Sequence, residues 1–478
     1  MMDRLMEYGE LAASLGADFL SFSGEQGEGF SSVAIDSRKV LPHSLFVALR
    51  GKKADGHRFT EAAFDAGASA AMVEKRAVEG GGLAALARRK GRTLVVVNDT
   101  LRGLQDAARI YLKQFPSFLK IGITGSSGKT TTKEITAAVI GEEKKVVMNP
   151  GNLNSETGLP LSVFNVRRDH EAGVFELGMN REGEIGELAE LLKPHIALVT
   201  NIGTAHIGIL GSRRAIAEEK KKIFSQFTGK ERALIPEADE YRDFLAEGVR
   251  GRIRYYGGRG PEGLGEIRDL GLEGFRLSWE GRPVFFRLPG RYNLANAMAA
   301  LAIAGEIPVG AAAVRRGLEK ARPLFGRSEI LRGPVTVIRD CYNANPESME
   351  AALEFCDGID WPGRKIYVIG AMMELGEEAP GAHEQLGRLL AASGASEVFL
   401  YGTPALPALG ALKKAGGEKR GFYTADMDEL RTLLERQVRE GDLVLLKGSR
   451  SCELEQLCGL FGAPAKEESA GGIGEGAA

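Results

Sequence analysis

Residues 125 to 130 read Gly-Ser-Ser-Gly-Lys-Thr, followed by Thr131, a spacing able to hold the phosphates of a nucleotide. Glycines let the backbone approach phosphate oxygens closely. A helix starting just beyond them aims its unpaired N–H groups and positive dipole end at the anion. Lys129 then reaches the terminal phosphates, and Thr130 offers its hydroxyl to Mg²⁺. The longer P-loop spacing asks for glycine at 123, where isoleucine stands, and Gly122 is one residue out of register. A plain glycine turn is the alternative to a phosphate site built from Gly125, Ser126, Ser127, Gly128, Lys129, Thr130 and Thr131.

Further candidates belong where strands end, because loops and helix N-termini converge there in a parallel sheet. Glu176 sits in VFELGM, at a position that alternation would give to an apolar residue, and a carboxylate near a buried sheet is costly unless paired or metal-bound. His206 follows IALVTNIG in the glycine-rich GTAHIGILG. Alone, each reads as an ordinary salt-bridged or hydrogen-bonded residue; beside the loop they read as a metal pair. Asn152, Asn154 and Ser155, in PGNLNSETGLP, offer amides and a hydroxyl near another strand end, with loop hydrogen bonding and capping as the plain alternative. Charge pattern alone makes EEKKK at 218 to 222 the solvated face of a helix. After VTVIR, Asp340 is placed to hydrogen-bond a ribose, and Asn345-Pro346 is a helix start. Arg327 and Lys447 bring positive charge to that region or are surface cations.

The elements that must position these residues are legible in outline. The apolar, β-branched run 119–124 is a buried strand and 133–139 a helix. From there to about 236, FLKIGIT, VVMN, VFELGM, IALVTNIG and RALIP alternate with helical segments, the pattern of a parallel sheet wrapped by helices. Before them VAID, LFVAL, AAMVEK and LVVVND form a small α/β unit closed by a helix over 101–115. After them FRLSWEGRPVFFRL turns at Glu280-Gly281 as a hairpin, and residues 293–314 form a buried helix, a loop and a second helix. VTVIRD, KIYVIGA, EVFLYG and LVLLKGS then build a second nucleotide-binding-like α/β domain.

A chain of 478 residues is too long for one core and suggests about three domains. The boundaries expected are 1–116, 117–325 and 326–462, with the glycine-rich 463–478 a disordered tail. Net charge of −2 gives no bulk reason for a nucleic-acid or membrane partner. The first residues mix acids with apolar side chains, unlike a signal peptide. The four cysteines, Cys341, Cys356, Cys452 and Cys458, lack metal-ligand spacing and fit a reducing cytoplasm.

Taken in order, TGSSGKTTTKE, GNLNSETGLPL, FELGMNREGEI, NIGTAHIGILGS, EEKKKIF, LPGRYNLANAMAA, GRSE and DCYNANPESM resemble the Mur ligases of bacterial cell-wall synthesis over about residues 30 to 460. DCYNANPESM with MELGEEAPGAH and LLKGSRSCELE is similar to the branch that adds D-alanyl-D-alanine to UDP-muramoyl-tripeptide. The resemblance implies an α/β protein of three domains: a small α/β UDP-binding domain, a central parallel-sheet ATPase domain with the P-loop, and a C-terminal dinucleotide-fold-like α/β domain. It implies a cytoplasmic monomer using ATP and Mg²⁺. Ser37 and Arg38 match uridine-diphosphate contacts. Thr130, Glu176, His206 and Lys220 match the magnesium site, with a CO₂-derived carbamate on Lys220; Lys221 and Lys222 are one and two residues away. Asn293 and Asn296 match adenine-side residues, Arg327 a phosphate-binding arginine and Asp340 the ribose contact. Tyr292, Gly208, Ala371 and Cys452 depart from the family's usual residues. A sister ligase, such as a folylpolyglutamate synthase, and a P-loop ATPase or switch are the alternatives.

Overall fold

The run Leu119–Thr124 lies in the middle of a six-stranded sheet, and its position decides where the site can form. In spatial order the sheet is Arg252–Tyr256, Arg232–Pro236, Ile196–Val199, Leu119–Thr124, Ala172–Glu176 and Val146–Met148, all parallel. The chain leaves Leu119–Thr124 toward one edge, returns, and crosses to the other side. This places a topological switch point at that strand's C-terminal end, where open α/β sheets bind ligands. The protein is described here from a computed structural model, over residues 4–22, 29–51, 54–258, 260–416 and 421–462. The expected tail lies outside the described residues.

The N-terminal sheet runs Asp18–Ser21, Thr93–Val97, Ala70–Glu74, Ser44–Val47 and Ser32–Ala34, parallel except for its first pair. The C-terminal sheet runs Glu329–Leu331, Thr336–Asp340, Leu443–Lys447, Lys365–Gly370, Glu397–Tyr401 and Gly421–Thr424, again antiparallel only at its first pair. The hairpin Phe275–Trp279 and Arg282–Phe286 carries a third strand, Leu264–Asp269. It packs on the helices Arg291–Ala304 and Ala311–Lys320 together with Ile135 and Val139 of the helix Lys129–Ile140. The helix bearing Asn293 and Asn296 is thereby locked against the helix that follows the glycine loop.

The sequence pattern finds the edge strands Val146–Met148 and Ser32–Ala34 but misses others. Arg252–Tyr256 reads RIRYY, with four of its residues exposed, so it lacks the apolar run that marks an inner strand. The short edges Asp18–Ser21, Glu329–Leu331 and Gly421–Thr424 escape for the same reason. No helix among the described residues is long and apolar enough to cross a membrane.

Candidate active site

Strand, turn and helix follow one another at the switch point because two glycines permit it. Gly125 has φ +150°, and a Cβ there would lie 1.8 Å from Thr200 Oγ1; Gly128 has φ +78°, with its Cβ position 2.2 Å from Asn296 Oδ1. Any side chain would push away the neighbouring strand or the adjoining helix. The Ser126 and Ser127 amides donate to Asn201 O and Asn201 Oδ1, both at 3.0 Å, pinning the turn to the loop after Ile196–Val199. The helix begins at Lys129, four residues before the apolar pattern announces it. Its first N–H groups have no intrahelical partners and form an anion site. Thr131 is half-buried on that first turn.

Two cationic side chains and one carboxylate converge beside this turn. Lys129 Nζ and Lys220 Nζ each donate to Gly125 O at 2.9 Å. Glu176, 2% exposed, accepts from Thr130 Oγ1 at 2.7 Å through one oxygen and from Asn154 Nδ2 at 2.6 Å through the other. Burial, then the charge of Lys129, holds the Lys220 amine well below its ordinary value. Burial likewise lowers Lys129, against the attraction of Glu176 and with the repulsion of Arg327. A neutral amine at Lys220 is the form such surroundings favour.

The expected solvated face at 218 to 222 is corrected here. Glu219 and Lys220 are both 1% exposed. Glu219 accepts from the Gly183 and Ile185 amides at 2.9 Å, tying down the start of the helix Glu184–Leu192. Lys221 turns instead to Phe244 O at 2.7 Å and Lys222 to Glu219 at 2.6 Å. Of the three lysines, Lys220 is the one directed at the phosphate loop. Charge pattern could not separate them, because the helix presents adjacent residues to different neighbours.

Other candidates are placed more loosely. His206, φ +68°, has Nδ1 3.0 Å from Glu374 Oε2 without the geometry of a hydrogen bond. Asn152 is exposed, and the Ser155 hydroxyl accepts from Gly158 N at 3.3 Å, a capping role. Asn293 Nδ2 donates to Pro289 O at 2.8 Å, while Asn296 Oδ1 accepts from Thr132 Oγ1 at 3.4 Å. The Arg327 guanidinium lies 4.0 Å from the Tyr342 ring centroid. Asp340 already accepts from Lys447 Nζ at 2.8 Å and Ser328 N at 3.1 Å. Ser37 and Arg38 sit on a turn of the N-terminal unit, where Arg38 brackets Asp36.

Two residues that bear on the site, Lys133 and Glu347, were not anticipated from the sequence, and a third, Asn345, was anticipated only as a helix cap. Lys133, fully buried, donates to Asn149 O at 2.6 Å and so fixes the loop that carries Asn154. Glu347 accepts from Thr204 N and Thr204 Oγ1, both at 2.9 Å, and Asn345 Nδ2 donates to Ser127 Oγ at 3.0 Å. Asn345 also caps its own helix, Pro346–Asp357, as its spacing indicated. The one available signal was the presence of polar residues in motifs whose roles were not yet filled.

The donor set suits Mg²⁺. Glu176 and Thr130 supply hard oxygens in contact with each other, and a small cation that keeps water and substrate phosphates as its other ligands needs only one or two protein carboxylates. No group of three or more His, Cys, Asp or Glu side chains that could hold a metal occurs among the described residues. Protein ligands alone therefore do not make a closed cage. Of the other two residues expected with Thr130 and Glu176, Lys220 reaches the same loop at Gly125 O, whereas the His206 ring lies beside Glu374.

Comparison with known proteins gives this geometry a family. The Mur ligase family catalytic domain matches residues 29–110, the Mur ligase middle domain 123–304, and the Mur ligase glutamate ligase domain 326–450. The chain belongs to the Mur ligase family. Among relatives, the UDP-N-acetylmuramoyl-tripeptide–D-alanyl-D-alanine ligase of Treponema pallidum is 46% identical over 458 residues, covering 95% of this chain and 98% of that one. Among solved Mur ligase structures, MurF of Acinetobacter baumannii superposes with a TM-score of 0.83 at 29% identity, over 96% of this chain and 99% of that one. MurF ligase of Thermotoga maritima, solved in complex with ADP, gives 0.74 at 28% identity, over 90% and 96%. The three-domain α/β architecture of this Mur ligase matches those structures.

Proposed function

We propose that this Mur ligase joins D-alanyl-D-alanine to the terminal carboxylate of UDP-N-acetylmuramoyl-tripeptide in an ATP-dependent reaction, giving the pentapeptide precursor of peptidoglycan. The observation that carries this reading is the 46% identity, over 95% of the chain, to a ligase of that activity. The domains divide as 1–116, 117–325 and 326–462, binding the UDP-linked substrate, ATP, and ATP with the incoming amine respectively. The enzyme works as a monomer in the cytoplasm.

In the reaction the tripeptide carboxylate attacks the γ-phosphorus of ATP and ADP leaves, forming an acyl phosphate. The amine of D-alanyl-D-alanine then attacks that carbonyl, loses a proton and expels phosphate. The loop 125–131 cradles the phosphates, and Lys129 neutralises charge that grows on the transferred group, the kind of preorganised stabilisation that lowers such barriers most. Glu176 and Thr130, with His206 as the further ligand that the family resemblance implies, would hold Mg²⁺, which would supply further positive charge to those phosphate oxygens. The Lys220 amine, kept neutral by its burial, adds to CO₂ with loss of a proton to give a carbamate, an oxygen anion of the type a hard cation prefers.

Asn293 and Asn296 face the adenine, Arg327 the phosphates and Asp340 the ribose. Ser37 and Arg38 hold the uridine diphosphate, and Asn152, Asn154 and Ser155 the peptide end of the substrate. The test is to combine the protein with ATP, Mg²⁺, UDP-muramoyl-tripeptide and D-alanyl-D-alanine, omit each in turn, and measure phosphate release and product mass. Release and pentapeptide only in the complete mixture support the reading. Release indifferent to the peptides marks an ATPase, and release that needs a different acid and amine marks a sister ligase.

A further inference from the structure

The segment 371–376, AMMELG, fills no role in the reaction just described, yet it touches the His206 loop at several atoms. Gly208 N donates to Glu374 O at 3.0 Å. A Cβ on Gly208 would lie 2.5 Å from Gly376 N and 2.8 Å from Glu374 O, and one on Gly376 would lie 2.8 Å from Gly208 Cα. Two backbones meet here with no room for a side chain between them. The Glu374 carboxylate then stands 3.0 Å from His206 Nδ1. Both residues are in the left-handed region, at φ +68° for His206 and +64° for Glu374, a conformation that non-glycine residues hold only where their surroundings impose it.

Segment 371–376 is no loose loop. Met372 N donates to the buried His383 Nε2 at 3.0 Å, Met373 N to Ser449 Oγ at 2.9 Å, and Ser449 N to Ala371 O at 3.1 Å. Its first three residues are fastened to the C-terminal unit, through the helix Ala379–Ala392 that bears His383 and the loop after Leu443–Lys447. We infer that Glu374 is a positioning residue for His206, delivered by a glycine-to-glycine seat between Gly208 and Gly376 that forms when the C-terminal domain closes on the phosphate loop. Once the contact tightens to a hydrogen bond, a carboxylate at Nδ1 favours the tautomer protonated there, which leaves the lone pair on Nε2. Closure and preparation of His206 are thereby one event.

The test compares Gly208→Ala, Glu374→Gln and the double variant in the full chain. Gly208 lies at an ordinary φ within the short helix Ile207–Leu210, so alanine is compatible with the backbone, and an unchanged melting temperature checks folding. The His206 ring resonances, assigned by their loss in His206→Gln, shift in the same sense in both single variants, and small-angle scattering reports a more open chain for Gly208→Ala. Each single variant lowers kcat by about 10–100-fold, the usual effect of losing a partner of a ligating histidine; KM for ATP changes little in Glu374→Gln and rises in Gly208→Ala, which also weakens closure. The double variant is no worse than the more severe single one, because both remove the same contact. Unshifted ring signals in either single variant, or losses that multiply in the double, overturn the inference. Only the kcat arm rests on the ligase reading. Ring shifts and scattering that behave as expected in a protein without ligase activity would sink that reading and leave this one standing.

Discussion

The central sheet is joined to its two neighbours in opposite ways. Toward the N-terminal unit the junction is apolar: Phe164 meets Phe30 edge-on at 6.0 Å and Tyr111 at 5.4 Å between ring centroids, and one continuous core runs from Leu5 to Leu245. Toward the C-terminal unit hydrogen bonds predominate: Asn345 to Ser127, Glu347 to Thr204, Gly208 to Glu374, and Tyr292 to Ser328 at 2.9 Å, with a few apolar contacts beside them, Tyr292 edge-on to Phe355 and Ile207 and Leu272 against the C-terminal core. The C-terminal sheet keeps a core of its own. Apolar surface, once buried, is costly to re-expose, whereas exposed hydrogen bonds exchange with water at little net cost. One junction is built to stay and the other to open, and the phosphate loop lies at the second, as a site that must admit ATP and then exclude water requires.

Five substitutions at four positions separate the two junctions. Lys129→Ala has the largest effect, lowering ligation at least about a hundredfold by removing the charge aimed at the phosphates, while melting temperature stays near that of the unaltered protein. Near-normal turnover would break the assignment. Phe164→Ala, at the apolar junction, costs about 3–5 kcal/mol in denaturant unfolding but leaves KM for ATP unchanged where the protein is folded; a selective rise in KM would show that this junction also gates the site.

Lys220→Met lowers ligation, by less than Lys129→Ala does, and stabilises the fold near neutral pH. The folded Lys220 amine gives up its proton far below 10.5, so the unfolded state binds more protons between those limits. Stability of the native chain therefore rises with pH through that window and falls as pH drops through the folded value. The slope of unfolding free energy against pH is shallower in the variant; an unchanged slope would mean that Lys220 is not held as described. In parallel, Lys220→Ala regains part of its ligation with small carboxylates, which stand in for the carbamate. The smallest effect is that of Glu347→Gln, which keeps one hydrogen bond to Thr204 and costs about 0.5–1.5 kcal/mol of closure, read as a rise of up to about tenfold in KM for ATP with melting temperature unaltered.

Legibility followed burial. The strand Leu119–Thr124, the loop after it and the capped start at Asn345-Pro346 carry their structure in local pattern. So does Glu176, whose charge in an apolar run was anomalous before any fold was known. The edge strand Arg252–Tyr256 was invisible because its side chains face water and leave no hydrophobic signature. Lys220 was not separable from Lys221 and Lys222 by charge, since its role comes from Gly125 O, 95 positions earlier in the chain. Glu347 and Glu374 were passed over because their partners, Thr204 and His206, lie across a junction that no local spacing encodes.

By itself, the sequence determined the α/β class, the glycine turn with Lys129 and Thr130, and the carboxylate at Glu176. Each follows from residue type and short-range spacing, which act within a few residues of chain. Tertiary structure alone decided that Lys133 holds the Asn154 loop and that the C-terminal unit meets the glycine loop mainly through hydrogen bonds, and it supplied the physical ground for Lys220, which in the sequence rested on the family resemblance alone. Those choices depend on distances between residues far apart in the chain, and only the packing of sheets and helices sets them.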